Sequence, residues 1–452
     1  MTLPISDPEA TAEAQELLER TGVDTVECGF PDLWGRLCGK RIPAARFRDV
    51  AAHGYTVAEA PLAWMIDGSI VPVGFTNADT GFPNMVAMPD PATMRVLPWD
   101  PATAFCFADT RSPAGEPMAL DTRGQVRRAA GRLEALGMCP WVAVELEFHL
   151  CTDDWQPFLR GTHSYSISRS EPAEPVLRDI RRWLEDLGVA VESSQAEYGE
   201  GQFEVNLLPT AAADAADHGL LLRRVVREAA RRHGLRATFM PSPFGTVCSG
   251  LHVHQSMRPP AGMRPPAGEE NLFAAGPPGG PPPEPMARYM GGVLEHLAEI
   301  TALVSPTINA YKRAADYTFA GNRVSWSYDN RTAAVRSLGL GTPAARVEVR
   351  TPSSDVNPCL AVAACLHAGA DGLEQAAALP DPVAGNAYAD DALPPLPASL
   401  DRAIDGFARS AFCRAAFGDL LVDTVTELGR QEVARFAAHV TDWELDRYRD
   451  LD

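Results

Sequence analysis

The chain has 452 residues, 46% hydrophobic and 22% charged, with a formal net charge of −19 at neutral pH. This length exceeds one ordinary compact core and predicts two domains. The acidic balance excludes a partner gripped by its phosphate backbone, so no nucleic acid is expected.

No apolar run approaches the roughly 20 residues that span a bilayer. Residues 1–22 carry acids and no apolar centre, so they do not read as a signal peptide. Nine scattered cysteines form no CxxC pair, which argues against a disulfide framework or zinc ribbon and for a reducing, cytoplasmic setting.

In chain order, Asp7-Pro8-Glu9 opens a helical pattern that Gly22 closes. Strand-like pieces with turn signals follow to about residue 107, among them Gly39-Lys-Arg-Ile-Pro43 and Gly68-Ser-Ile-Val-Pro-Val-Gly74. Residues 1–112 thus read as a small α+β domain and 113–452 as a larger second domain. The second domain has expected helices at 122–136, 174–187, 211–233, 285–304 and 357–378, and a helical region from 398 to 448. Residues 258–285, with a tandem Arg-Pro-Pro-Ala-Gly and then Gly276-Pro-Pro-Gly-Gly-Pro-Pro-Pro283, read as a proline-stiffened surface insertion without packing capacity.

Between the helices lie four strands of one kind. In a strand, residues i and i+2 share a face. In Trp141–Leu150, Val142, Val144, Leu146, Phe148 and Leu150 form an apolar face, and Glu145 and Glu147 lie opposite with Ala143 and His149. The pattern recurs with Glu204 and Asn206, with His252, His254 and Ser256, and with Arg346, Glu348 and Arg350. A solvated face usually includes Lys and Thr, and these four hold neither. Glu, His and Arg instead suggest a sheet lining a cavity for metal and phosphate. Carboxylate oxygens suit Mg2+ or Mn2+, and arginines beside them suit bidentate grip on phosphate or a substrate carboxylate.

Six motifs then resemble glutamine synthetase type I, in that family's order and over nearly the whole chain. They are Glu145-Leu-Glu147, Glu197-Tyr-Gly-Glu-Gly-Gln-Phe-Glu204, Ser249-Gly-Leu-His-Val-His-Gln-Ser256, Asn309-Ala-Tyr-Lys-Arg313, Asp329-Asn-Arg-Thr332 and Arg346-Val-Glu-Val-Arg350. The resemblance implies an α+β fold, with an N-terminal β-grasp domain and a catalytic domain whose curved antiparallel sheet lines the site. It also implies a homo-oligomer of stacked rings, a dodecamer, with sites between subunits. By motif position, Glu147, Glu197 and Glu204 would hold one metal, and Glu145, His252 and Glu348 a second. Glu192, His254, Ser256 and Arg346 fall at ATP, and Arg331 and Arg336 at the transferring phosphate. Arg313 and Arg350 fall at the acid's carboxylates, with Ser249 and Gly250 beside them as substrate-binding positions. Asp32, in Phe30-Pro-Asp-Leu-Trp-Gly-Arg36, matches an aspartate lent to a neighbour's amine site, where it would act as base.

Two departures matter. Val247-Cys248 stands where the family has Asn-Gly against glutamate, and Phe319 stands where ammonia-using members carry a flap glutamate. The expected activity is therefore an ATP-dependent ligase joining a carboxylate, the γ-carboxylate of glutamate, to an organic amine through an acyl phosphate. An ammonia-using glutamine synthetase and a non-catalytic scaffold are the alternatives. Tyr388 is expected to be a surface loop residue.

Overall fold

A computed structural model of the chain describes residues 7–245, 247–260 and 270–451. Most of the tandem Arg-Pro-Pro-Ala-Gly lies outside the described residues.

The first unit opens with the helix Pro8–Thr21. Asp7 caps it by accepting from the Glu9 N–H at 2.9 Å, and Gly22 ends it at φ 71°, a left-handed conformation that glycine adopts without a Cβ penalty. Six strands follow: β1 (Thr25–Pro31), β2 (Leu37–Pro43), β3 (Tyr55–Ala58), β4 (Asn84–Pro89), β5 (Arg95–Leu97) and β6 (Asp100–Arg111). They form a mixed sheet in the order β2-β1-β6-β4-β3, with β1 parallel to β6 and β5 on the edge of β6. Its core is built on Phe30, Phe47, Met65, Phe105 and Phe107, all nearly fully buried.

The larger unit is built on a nine-stranded sheet. Its strands are β7 (Cys139–Cys151), β8 (Val191–Ala196), β9 (Gln202–Leu207), β10 (Thr210–Ala211), β11 (Arg236–Thr238), β12 (Leu251–Arg258), β13 (Trp326–Tyr328), β14 (Val335–Leu338) and β15 (Arg346–Val349). The order is β13-β14-β15-β12-β7-β9-β8, antiparallel except for the β13–β14 pair. Val142, Val144, Leu146, Phe148, Phe203, Val205, Val253 and Val347 are all nearly fully buried on one of its faces. There the helix Ala212–Arg232 comes so close that a Cβ on Gly219 would meet Val144 at 3.5 Å and Pro358 at 2.9 Å. The almost wholly buried helix Pro358–Glu374 lies beyond it. The opposite face is free for polar chemistry.

Arg123 ties the units together. It is 4% exposed and reaches Asp217 at 2.8 Å, Asp109 at 2.5 Å and Asp90 at 3.0 Å, which offsets the cost of burying its charge. Asn357, the cap of the helix Pro358–Glu374, also donates to the Asp32 carbonyl at 2.8 Å.

The helix expected over 285–304 is two, Glu284–His296 and Thr301–Val304. The described part of the proline-rich segment packs, contrary to expectation. Phe273 is fully buried 5.7 Å from the Tyr289 ring, and Gly279 donates to the Leu340 carbonyl at 3.3 Å. One aromatic anchor supplies the packing that the surrounding proline and glycine lack. Among the described residues, no helix is long and apolar enough to cross a membrane.

Candidate active site

Strand register alone assembles the polar face. His252 lies opposite Glu145 and His254 opposite Glu348, while Glu204 faces Glu147 on one side and Gln195 on the other. Arg336 pairs with Glu348 from β14. Charged groups far apart in sequence thus stand in adjacent rows about 4.7–4.9 Å apart.

The side chains divide into two electrostatic halves. Glu348 is 1% exposed and held by Arg336 at 2.5 Å and Arg350 at 2.5 Å. Burial would raise its carboxyl, but Arg350, the two histidines and Arg336 hold it down at about 2. His252 contacts Glu145 at 2.5 Å, with His254 at 3.4 Å. Against the pull of burial, these histidines keep Glu145 well below the usual carboxylate range. His252 itself is pushed down to about 4 by burial and by Arg350, so it is a neutral imidazole at pH 7, the form that binds metal.

In the other half the compensation, from Arg313 and the Gly250 N–H, falls short of burial and the neighbouring acids. Glu147 is pushed up to about 8 by burial and by the Glu197 charge, and Glu204 is raised by burial and by Glu145 and Glu147. Glu197 is raised in the same direction, by burial first. Carboxylates left this close without a cation hold protons, and a divalent cation is what would let them ionise.

The donor set fits two hard cations. Oxygens and nitrogens of Glu145, His252 and Glu348 can come within 4.8 Å of one another, and so can those of Glu147, Glu204 and His252. Glu197 reaches the second group through Gln195, whose amide donates to Glu197 at 2.9 Å and to Glu204 at 2.8 Å.

These groups open into a cavity of about 690 Å³ that also receives Arg313, Arg331, Arg336, Arg350 and Phe319. A second cavity of about 630 Å³ holds Glu192, His254, Ser256 and Arg346. The two share Glu145, Asn206, His254 and Arg346, so they meet at the metal-ligand candidates. Arg331 lies exposed at the rim without an ion pair among the described residues, whereas Arg336 is committed to Glu348 and Asp329. Arg313 is 3% exposed and donates to the carbonyls of Thr351 at 3.0 Å and Arg350 at 2.9 Å. Gly250 makes that possible, because a Cβ there would stand 2.3 Å from the Arg313 guanidinium. Its N–H donates to Glu147 at 2.6 Å.

Three residues lie deeper than their sequence positions suggest. Asp32 is fully buried in its own chain. Its Oδ1 accepts from the N–H groups of Trp34 and Arg36, both at 2.9 Å, and its Oδ2 from Arg36 Nε at 2.6 Å. Within one chain that carboxylate is engaged by the turn before β2, and burial raises its pKa above the ordinary carboxylate value. Ser249 is likewise 0% exposed and does not line either cavity; its hydroxyl accepts from Gln202 at 3.1 Å. Tyr388 is 4% exposed, packed 5.4 Å from the Tyr317 ring beneath the flap, and is no surface residue.

Sequence reasoning missed Gln195, Gln202 and Tyr165. Gln195 and Gln202 occupy strand positions beside the glutamates, where alternation of polar residues was the available signal. Tyr165 sits in a loop at φ 55°, lines the larger cavity and is 64% exposed, with no strand periodicity to mark it.

Residues 119–448 match the glutamine synthetase catalytic domain. A glutamate–isopropylamine ligase from Pseudomonas sp is 32% identical, covering 97% of this chain and 98% of that protein. A γ-glutamylethanolamide synthetase from Streptomyces coelicolor is 35% identical, covering 98% and 97%. A solved complex of GmaS with ADP superposes with a TM-score of 0.85 at 28% identity, over 97% of this chain and 99% of that one.

Proposed function

The chain belongs to the glutamine synthetase family, and from that premise we propose that it is an ATP-dependent ligase forming an amide between the γ-carboxylate of glutamate and an organic amine. The observation that carries this reading is one cavity in which six carboxylates, five arginines and the half-exposed ring of Phe319 converge.

A carboxylate does not accept an amine directly, since oxide or hydroxide is too poor a leaving group. Transfer of the terminal phosphoryl group of ATP makes an acyl phosphate whose phosphate can leave. In this reading Glu192, His254, Ser256 and Arg346 hold the nucleotide in the second cavity. The shared edge at Glu145 and His254 points its phosphates toward the acid. Arg331, free at the rim, and Arg336 stabilise the oxygens of the phosphoryl group in flight. Arg313 and Arg350 grip the acid's carboxylates, and Gly250 keeps the space for Arg313 open.

Glu145, His252 and Glu348 would hold one Mg2+ or Mn2+, and Glu147 and Glu204 a second, with Glu197 completing it. Bound cations would neutralise phosphate oxygens and replace the protons on the raised carboxylates. The amine must be neutral to attack, so a nearby carboxylate takes its proton. Phe319 gives the amine an apolar wall in place of a charge.

Assembly into stacked rings belongs to the same reading. It is supported by the C-terminal segment, where Phe436, Trp443 and Tyr448 are 47%, 61% and 49% exposed. Sedimentation velocity measures it directly, and a monomer with full turnover overturns it.

The test of function is phosphate release with Mg2+, ATP and glutamate against ammonia, alkylamines, polyamines, ethanolamine and anilines. Release dependent on both glutamate and an organic amine supports the ligase. No release with any amine, in protein that binds ADP, leaves a scaffold.

A further inference from the structure

The described part of the proline-rich segment forms a wall of the second cavity. Glu270 and Asn271 line that cavity beside Pro343, Ala344, Ala345 and Arg346. The segment leaves β12 just after His254 and Ser256, then returns to the end of the same strand, where the Leu272 N–H donates to the Met257 carbonyl at 2.8 Å. The buried ring of Phe273 seats it in the core.

From there the segment meets the loop 339–345, which joins β14 to β15 and ends at Arg346. Pro343 and Ala344 are exposed at its tip, and an exposed hairpin loop is mobile unless other groups hold it. Two contacts hold this one. Pro277 and Pro278 lie so close to Gly341 that a Cβ there would clash with their backbone, and the Gly279 N–H reaches the Leu340 carbonyl at 3.3 Å. Asn271 makes the second contact. Its Nδ2 donates to the carbonyls of Pro343 at 3.0 Å and of Ala345 at 2.7 Å, and its Oδ1 accepts from the Phe273 N–H at 3.0 Å.

Both amide protons of Asn271 are thus spent on backbone, and none is left to donate to a ligand. Its effect falls on Arg346, which follows the clamped Ala345. Arg346 gives Nη1 to the Ala344 carbonyl at 3.1 Å and Nε to His254 Nδ1 at 3.2 Å, and His254 Nε2 lies 3.4 Å from Glu145. Arg346 makes no ion pair among the described residues, so its charge suits a phosphate oxygen. A guanidinium stands at the end of a long side chain, and a small shift of the backbone beneath it becomes a larger one at its N–H groups. We propose that Asn271 is a positioning residue for the nucleotide, clamping the 343–345 backbone so that Arg346 is held against His254. This rests on the reading of the second cavity as the nucleotide site.

The test is a double-mutant cycle on ADP binding to the full chain, by calorimetric titration in Mg2+. Asn271 is half-buried against an exposed loop, so Asn271→Ala folds, with thermal melting as the check. It is expected to weaken ADP binding roughly fivefold, the ordinary consequence of losing one or two hydrogen bonds, and Arg346→Ala to weaken it more. Acting through Arg346, Asn271→Ala adds nothing to Arg346→Ala, whereas a general structural defect multiplies with it. Asn271→Asp keeps the shape and the acceptor but offers the two carbonyls no donor, and should match Asn271→Ala. Unchanged ADP binding in both Asn271 variants, or losses that multiply in the double variant, overturns the clamp and leaves the nucleotide reading standing. Wild type that fails to bind ADP, or Arg346→Ala that binds it as wild type does, overturns the nucleotide role of that cavity and the clamp with it.

Discussion

Arg350 gives two N–H groups to the carbonyl of Phe319, from Nε at 3.3 Å and from Nη2 at 3.0 Å, while its Nη1 holds Glu348 at 2.5 Å. One guanidinium thus spans a metal-ligand candidate and the backbone of the segment proposed as the amine flap. The flap needs that anchor, because Tyr317 and Phe319 adopt φ 63° and φ 59°, a left-handed conformation that costs a bulky residue about 1–3 kcal/mol.

This anchor makes the two arginines of the proposed acid site separable. Lysine keeps the charge but has no planar fork. Arg350→Lys is expected to raise the KM for glutamate about tenfold, and to raise the amine's KM as well because the flap is loosened. Arg313→Lys, whose guanidinium does not touch the flap carbonyl, is expected to change the glutamate KM alone. Steady-state kinetics with each substrate varied decides it. An unchanged amine KM in Arg350→Lys removes the anchor.

Asp32 predicts the reverse pattern, a loss of stability with little loss of chemistry. Asp32→Asn removes the charge opposite Arg36 in a fully buried turn, costing about 1–3 kcal/mol by the usual penalty for a broken charge-assisted hydrogen bond. Urea unfolding should show that loss, while kcat measured on the folded protein changes less than about threefold. A base would behave differently, and a hundredfold fall in kcat with unchanged stability would restore that role.

The contrast shows what the sequence could carry. Period-two alternation in Trp141–Leu150, Phe203–Leu207, Leu251–Met257 and Arg346–Arg350 was enough to place Glu145, Glu147, Glu204, His252 and Glu348 on one face. A strand's face is fixed by its own residues. Which groups compensate each other was not legible, because that depends on pairing between strands. Only the register shows that Gln195 bridges Glu197 and Glu204, or that Glu348 is saturated by arginines while Glu147 is not. Tyr388 misled for a related reason: a loop residue's burial is decided by the partner it packs on, here Tyr317. The buried Phe273 inside a proline-rich segment is the same lesson.

The under-compensated carboxylates give the metal-free protein a pH signature. Glu147 has a folded pKa of about 8 against an ordinary 4.5, so its contribution to stability is complete below 4.5 and is lost as pH rises through 8. Glu204 shifts in the same direction. His252, depressed to about 4, acts oppositely, but its contribution is already complete above 6.5. Glu348, near 2, is constant throughout. Between pH 6.5 and 8 the carboxylates alone remain, and the Tm in excess chelator is expected to fall across that window. Mg2+ should raise the Tm and flatten the slope, since the cation replaces the protons. Melting curves in chelator that superimpose from pH 6.5 to 8 would falsify this.

The amine preference rests on Phe319. Its ring is 46% exposed and lines the larger cavity, with the Tyr165 ring, 64% exposed, also in the lining. It is not packed away against Trp326 or Tyr328, which pair with each other at 5.1 Å. Ammonium is a small cation best captured by anionic oxygens, and a phenyl ring in place of a carboxylate removes one such charge. An amine with a hydrocarbon body gains about 0.8 kcal/mol per buried methylene, roughly fourfold in kcat/KM. The ring face attracts the substrate's ammonium before deprotonation by a further ~0.5–2 kcal/mol. Along methylamine, ethylamine and propylamine, kcat/KM is therefore expected to climb about fourfold per step, with ammonia below all three. Phe319→Glu should flatten that series and raise the efficiency with ammonia at least tenfold. Its carboxylate meets a cavity already rich in acids, so Phe319→Ala serves as the neutral control and should lose the alkyl preference without gaining ammonia. Wild type that uses ammonia as well as propylamine would assign the ring to flap structure alone.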